Sequence, residues 1–328
     1  MFAANPRLSR RIRCLLSLLL LLPALAMAEM PLQQVTLMPL WSPQAQFAGY
    51  YVAREKGIYA QHGIEVDILP AGPGYSVIGT LRKGQADFAV LWLGSALRHR
   101  EQGLTLVNLA QFIQQSSQLL ISRADSGIRS FEDMQGRRVG LWDGDIALPA
   151  RTLLNHHGVE VDEVRQSLTV NLFLRGAIDV VSAMSYNEYH SLLSAGLDPD
   201  ELRVFSIAEQ GFHFPEDGLY ALRERIEQDP ALVEAFVAAS VAGWQYAFAH
   251  PDEALEITLQ YMRAANLPAN RAHQRWMLEK MRALMQPDQG ARFGVLELSK
   301  YQAALNSLRQ AGLVAEFPPY GDFVWGGE

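Results

Sequence analysis

Residues 34–69 contain Gln34-Val35-Thr36-Leu37-Met38-Pro39-Leu40-Trp41, a polar turn, Phe47-Ala48-Gly49-Tyr50-Tyr51-Val52-Ala53-Arg54-Glu55-Lys56 closed by Gly57, and then Ile64-Glu65-Val66-Asp67-Ile68-Leu69. The outer runs are short and apolar, as strands are, whereas the middle run is long enough for a helix and is stopped by a glycine. Strand, helix and strand in that order predict a parallel pair joined by a crossover helix. The pattern continues with a helix over 75–83 stopped by Gly84, a strand over 87–92 and a helix over 95–102 stopped by Gly103. A second series follows Asp125: strand 137–141, helix 148–157, strand 179–184, helix 187–195 and a short strand at 204–207. Residues 219–222 are expected to return the chain to the first sheet, and the remainder reads as helical, notably 230–250 and 252–265. The expected fold class is therefore α/β, with two α/β lobes joined by a double-crossing hinge. Lobe 1 takes residues 29–122 and 218–328, lobe 2 takes 123–217, and the crossings fall near 120–125 and 214–222.

Residues 1–28 stand apart. Arg7, Arg10, Arg11 and Arg13 precede an apolar run over 15–22 broken only by Ser17, and Ala26-Met27-Ala28 reads as a small-x-small cleavage site. This pattern predicts a secretory signal peptide. The run is shorter than the roughly 20 residues of a spanning helix, and no later apolar stretch is expected to span, so the mature chain is expected to be soluble and periplasmic. Removing the segment leaves 24 basic against 35 acidic side chains, a formal charge of −11, which makes nucleic acid and anionic lipid poor partners. The single cysteine, Cys14, lies within the segment, so the mature chain can hold neither disulfides nor thiolate metal sites. With 328 residues, 49% of them hydrophobic, there is ample material for large cores.

In open α/β sheets ligands sit beyond the carboxyl ends of the strands, so the candidate ligand-binding residues are those that follow each strand. After the first come Trp41, Gln44, Gln46 and Tyr50, beside a helix expected to begin near Gln46 with free backbone N–H groups. The third strand ends at Trp92 and Ser95. Gln111, Gln114, Gln115, Ser116, Ser117 and Gln118 form a polar, uncharged segment, and Gln115 is taken from them because amides and hydroxyls suit a neutral heteroaromatic ligand. In the second series, Trp142 and Asp143 open an acidic loop with Asp145. Two carboxylates there disfavour phosphate and favour a ligand that is neutral or carries an amine, although Asp145 can also be read as a helix cap. Tyr186, Asn187 and Glu188 follow the strand over 179–184, where the carboxylate can accept two N–H bonds from an aminopyrimidine face. His213, Glu216 and Asp217 mark the second crossing, and Glu216 completes the set. Each of these residues also has a plainer reading, as core aromatic, solvated loop or first-turn acid.

Catalytic and metal signatures are missing from the sequence: there is no G-x-S-x-G, H-E-x-x-H, Walker loop or full dinucleotide fingerprint, and His156-His157 lack the i, i+4 spacing of a two-histidine metal site. No catalytic residue, metal or cofactor is expected. Trp41-x-Pro43, Tyr51-Val52-Ala53-Arg54-Glu55-Lys56-Gly57-Ile58-Tyr59, Gly63-Ile64-Glu65-Val66, Gly84-Gln85-Ala86-Asp87-Phe88, residues 131–140 and Gly243-Trp244 with His250-Pro251-Asp252-Glu253-Ala254 resemble the ABC-transporter periplasmic solute-binding proteins of the thiamine-pyrimidine family. That resemblance implies a type II periplasmic-binding-protein fold, a monomer delivering a solute to an inner-membrane ABC permease, and thiamine pyrimidine precursors as the ligand. Related members that take sulfonates, nitrate or flavins, and a sensory role, are the alternatives within it. The family also includes thiamine pyrimidine synthases, which consume pyridoxal phosphate held on a lysine at the strand end matching 91–95. Leu91-Trp92-Leu93-Gly94-Ser95 has neither that lysine nor the histidine expected shortly after it. The segment 208–215 carries none of the synthase's cysteines, and Asp143-Gly144-Asp145 replaces its phosphate loop. The resemblance therefore implies a binder, not an enzyme.

Overall fold

The computed structural model describes residues 31–212, 214–286 and 292–327, so the expected signal peptide and His213 lie outside the described residues. Strands β1 (Gln33–Met38), β2 (Ile64–Ile68), β3 (Phe88–Trp92), β4 (Leu106–Gln111) and β10 (Asp217–Leu222) form one sheet in the order β2-β1-β3-β10-β4. Strands β5 (Gln118–Arg123), β6 (Arg138–Leu141), β7 (Asp162–Arg165), β8 (Val180–Met184) and β9 (Leu202–Ser206) form a second, β7-β6-β8-β5-β9. In the first sheet β2, β1 and β3 are parallel while β10 runs antiparallel between β3 and β4. The second repeats the arrangement, with β5 antiparallel between β8 and β9. Both sheets are thus mixed rather than purely parallel.

The alternation of the sequence accounts for the parallel part. Helices α1 (Ala48–Glu55), α2 (Leu93–Glu101), α3 (Leu148–His156) and α4 (Glu188–Ser194) begin just after β1, β3, β6 and β8. The antiparallel part follows from the crossings, since the chain leaves the first sheet after β4, enters the second at β5, and returns after β9 into β10. The first crossing therefore spans residues 112–117, not 120–125, and 118–123 pair within the second sheet. The error arose because Leu119-Leu120-Ile121 is a fully apolar run, which a buried strand and a buried connection share.

The C-terminal part is helical: α5 (Pro230–Ala249), α6 (Pro251–Ala264), α7 (Arg271–Met285) and α8 (Leu298–Gln310). Contrary to the expectation that no later segment would be long and apolar enough to cross a membrane, α5 is, at 20 residues. It packs on α1, burying Leu232, Val233, Phe236, Gly243, Trp244, Ala247 and Phe248. Two glycines permit that approach. A Cβ on Gly243 would lie 2.3 Å from the carbonyl oxygen of Gly49, and one on Gly49 would lie 2.3 Å from the Trp244 ring. Residues Leu32–Glu328 form one compact unit. The core is not divided where the sheets meet, for one apolar cluster takes in Leu91 and Leu97 with Leu120, Leu141, Leu148 and Leu308.

Candidate functional site

The carboxyl ends of β1, β3, β6 and β8 converge on a slot lined by Leu40, Trp41, Gln44, Gln46, Trp92, Trp142, Ile146, Met184, Tyr186, Asn187 and Glu188. Eight of the thirteen sequence candidates meet there: Trp41, Gln44, Gln46, Trp92, Trp142, Tyr186, Asn187 and Glu188. Three indoles and one phenol supply flat apolar walls, and three amides with an acid supply the edge. Leu40, Ile146 and Met184 complete the lining and were missed, because a lone aliphatic residue at a strand end carries no sequence signal that separates it from core.

Hydrogen bonds fix each polar group. Asp217, the first residue of β10, accepts from Trp92 Nε1 at 3.0 Å and from Gln46 Nε2 at 2.8 Å, and Gln46 Oε1 accepts from Gln44 Nε2 at 2.6 Å. Burial pushes the Asp217 carboxyl up to about 7 against the pull of those two donors. Just before Gln46, where the helix is expected to begin with free backbone N–H groups, the backbone N–H of Ala45 is taken by Gln274 Oε1 of α7 at 2.7 Å. On the opposite wall, Glu188 is only 6% exposed, so it is not the surface first-turn acid of the plainer reading. Its carboxylate turns back onto the strand end, accepting from Met184 N at 2.9 Å and from Asn187 Nδ2 at 2.8 Å. Burial raises it to about 7. Tyr186 is buried and its hydroxyl is raised by burial and by the neighbouring carboxylates of Glu216, Asp217 and Glu188.

Five candidates lie elsewhere. Tyr50 is core, edge-on to Phe112 and Trp244. Gln115 is exposed. Glu216 is fully buried between the two crossings, where it accepts from Ser116 Oγ at 3.1 Å, Ser117 N at 2.6 Å and Ser117 Oγ at 2.6 Å, and burial pushes it up to about 8. Gln111 Nε2 donates to the Glu216 carbonyl at 2.8 Å, so Gln111, Ser116 and Ser117, half of the polar segment, staple the crossings together instead of facing the slot. Ser95 and Asp143 border a second cavity of about 600 Å³ that shares Leu40, Trp41, Trp142 and Ile146 with the slot.

The acidic loop does not present free charge. Asp145, read as a possible helix cap, instead reaches α2, where it accepts from Ser95 Oγ at 2.5 Å, pairs with Arg98 and meets His99 Nε2 at 3.2 Å. Asp143 pairs with Arg165 at 2.7 Å. With each carboxylate matched by a guanidinium and Arg82 also on the lining, the cavity has no excess of negative charge, and the expected preference of this loop for an amine loses its basis.

The slot itself holds only about 30 Å³ of free space, room for about two waters. A ring can enter only if the wall bearing Trp41, Gln44 and Gln46 separates from the wall bearing Trp142, Tyr186 and Glu188. Among the described residues no group of three His, Asp or Glu stands close enough to hold a metal ion.

The riboflavin-binding protein RibY of Chloroflexus aurantiacus is 28% identical to this chain over 283 residues, covering 82% of it and 77% of RibY. The formylaminopyrimidine-binding protein of Halalkalibacterium halodurans is 25% identical over 245 residues, 72% of this chain and 73% of its own. Among solved structures, the alkanesulfonate-binding protein SsuA from Xanthomonas axonopodis pv. citri bound to MOPS has a TM-score of 0.64 at 15% identity, over 90% of this chain and 99% of that one. The two mixed sheets with their flanking helices are thus the periplasmic-binding-protein fold. The family model described as NMT1/THI5 like matches residues 44–254, and the chain accordingly belongs to the NMT1/THI5-like family.

Proposed function

We propose that this chain is the solute-binding component of an ABC importer, exported through residues 1–28, and that it clamps a flat heterocycle, a thiamine pyrimidine precursor, releasing it chemically unaltered to an inner-membrane permease. The observation that carries the reading is the slot: indoles from β1, β3 and β6 facing one buried acid at the end of β8. An aminopyrimidine has a ring nitrogen beside an exocyclic amine, and a carboxylic acid pairs with both at once. Glu188, poised at about 7, forms that pair as acid with base or as carboxylate with pyrimidinium. Either form is neutral overall, so no unpaired charge is buried. The amides of Gln44 and Gln46 orient the ring from the other wall.

Micromolar affinity needs about −8 kcal/mol. Stacking supplies roughly 0.5–1.5 kcal/mol per ring and charge-assisted hydrogen bonds about 1.5–3 kcal/mol each, with apolar burial on closure adding the rest. The absence of a lysine from 91–95 supports binding without chemistry, since a Schiff base needs an amine. A second reading, a flavin, is favoured by one observation. The 600 Å³ cavity continues from the slot and has room for a hydroxylated chain attached to the ring, and a relative that shares 28% identity is named for riboflavin.

Mass spectrometry of small molecules released from the purified protein, with thermal-shift screening of 4-amino-5-hydroxymethyl-2-methylpyrimidine, riboflavin and alkanesulfonates, tests both. Stabilisation by the pyrimidine supports the first reading and by riboflavin the second. Stabilisation by sulfonates alone overturns the heterocycle assignment.

A further inference from the structure

An arm carried by a ring in the slot runs into the cavity of about 600 Å³, which shares Trp41 and Trp142 with it. Three guanidiniums line that cavity, those of Arg82, Arg98 and Arg165, with the imidazole of His99 beside them. Left to themselves these groups would make a phosphate site, since a guanidinium fork matches two phosphate oxygens. Two acids on one loop prevent it. Asp143 Oδ2 takes Arg165 Nε at 2.7 Å. Asp145 crosses to α2, where it pairs with Arg98, accepts from Ser95 Oγ at 2.5 Å and meets His99 Nε2 at 3.2 Å. Burial acts to raise the Asp145 carboxyl, but His99, Ser95 and Arg98 together hold it below its ordinary value, so it is ionised at neutral pH and cancels the Arg98 charge. Among the described residues Arg82 alone of the three has no acid partner, and it is exposed at the end of the helix Val77–Arg82.

Hydrogen-bond chemistry then separates two kinds of arm. A hydroxyl donates to a carboxylate and accepts from a guanidinium, so an Asp–Arg pair serves it from both sides. A phosphate monoester is ionised at neutral pH and offers its oxygens only as acceptors, so the carboxylate in each pair repels it. The slot gives such a group no other place, for its lining has no Lys, Arg or His and includes Glu188.

We propose that Asp143 and Asp145 are specificity-determining residues: by occupying Arg165 and Arg98 they make the site take a ring with a free hydroxyl arm and reject the phosphate ester of the same compound. The inference rests on the reading that the slot holds the ring.

Calorimetric titration of two alcohol and ester pairs tests it, 4-amino-5-hydroxymethyl-2-methylpyrimidine against its phosphate and riboflavin against its 5′-phosphate. In the pair it recognises, the wild type should bind the alcohol about tenfold or more tightly than the ester, and Asp145→Asn and Asp143→Asn should each narrow that ratio by about tenfold or more, the gain of one charge-assisted contact. Adding Arg98→Gln to the first, or Arg165→Gln to the second, should cancel the gain. Equal or tighter binding of the ester by the wild type, an unchanged ratio in both single variants, or a gain that survives loss of the guanidinium overturns the proposal. Circular dichroism checks folding. The side chains of Arg165 and Asp143 are 81% and 63% exposed, so that pair can be altered without loss of the fold should Asp145→Asn unfold. A ligand-free arm uses inorganic phosphate, which, against chloride at equal ionic strength, should raise the Tm of each Asp variant more than that of the wild type. Should the wild type bind neither pair, the ring reading fails and the phosphate arm alone decides: a larger shift in the variants supports the occupied guanidiniums, and equal shifts overturn them.

Discussion

Replacing Asp217 by Asn changes one atom and should invert the polarity of a whole wall. Asp217 accepts two hydrogen bonds, one per oxygen, from Trp92 Nε1 and Gln46 Nε2. Asparagine keeps one acceptor and turns the other into a donor. If it serves Trp92, its amide NH2 faces the Gln46 NH2. Gln46 must then flip, which turns its NH2 toward that of Gln44, and Gln44 must flip in turn. The fold should tolerate the change, because a neutral amide also removes a buried charge that burial already disfavours. The slot should not, since the groups that Gln44 and Gln46 offer a ligand are exchanged. A buried donor or acceptor left facing a like group costs about 1–3 kcal/mol, which corresponds to roughly a 5- to 150-fold rise in Kd. Calorimetric titration of the ligand recovered from the wild type measures it, with circular dichroism as the check on folding. The double variant Asp217→Asn with Gln46→Glu restores the donor sequence, because the introduced amide accepts from Trp92 and donates to the introduced carboxylate, and it should recover most of the affinity. Wild-type affinity in the single variant, or no recovery in the double, refutes the chain of amides.

The buried acid between the crossings should make stability fall with rising pH. Glu216 is raised to about 8, so its contribution is fully present below its unfolded value near 4.5 and is lost as pH climbs through 8. On the order of a few kcal/mol is involved, and the apparent Tm should drop between pH 5 and 8.5, less steeply in Glu216→Gln; equal slopes would show that the carboxyl is not the cause. At the contact of α1 and α5, Gly243→Ala should cost about 1–3 kcal/mol or more by overpacking against Gly49 and Ala53, read as a lower urea midpoint, whereas an unchanged midpoint would mean the helices separate freely.

How far the site was legible depended on what a residue's role required. Trp41, Trp92, Trp142 and Glu188 could be named because each follows a strand, and strand ends of such sheets face the ligand whatever their neighbours are. Glu216 and Gln111 also sit at strand ends, but they spend their polar groups on each other's segments. Asp217 was noted at the crossing yet not chosen, and it anchors the Gln44–Gln46 wall from a distance of 171 positions. His273 of α7, whose Nε2 meets Asn187 Oδ1 at 2.8 Å from 86 positions away, had no local signal at all.

The alternation of apolar runs and glycine stops was enough to place seven of the ten strands and the main helices that follow them, because periodicity and capping act over a few residues, whereas β4, β5 and β7 were not read as strands. The antiparallel insertion of β5 and β10, the pairing of Asp143 and Asp145 with arginines, and the union of the two walls by α7 were decided only by tertiary structure. Each depends on which distant segments meet, and burial of a carboxylate or an amide obliges it to find its partner wherever the fold has brought one.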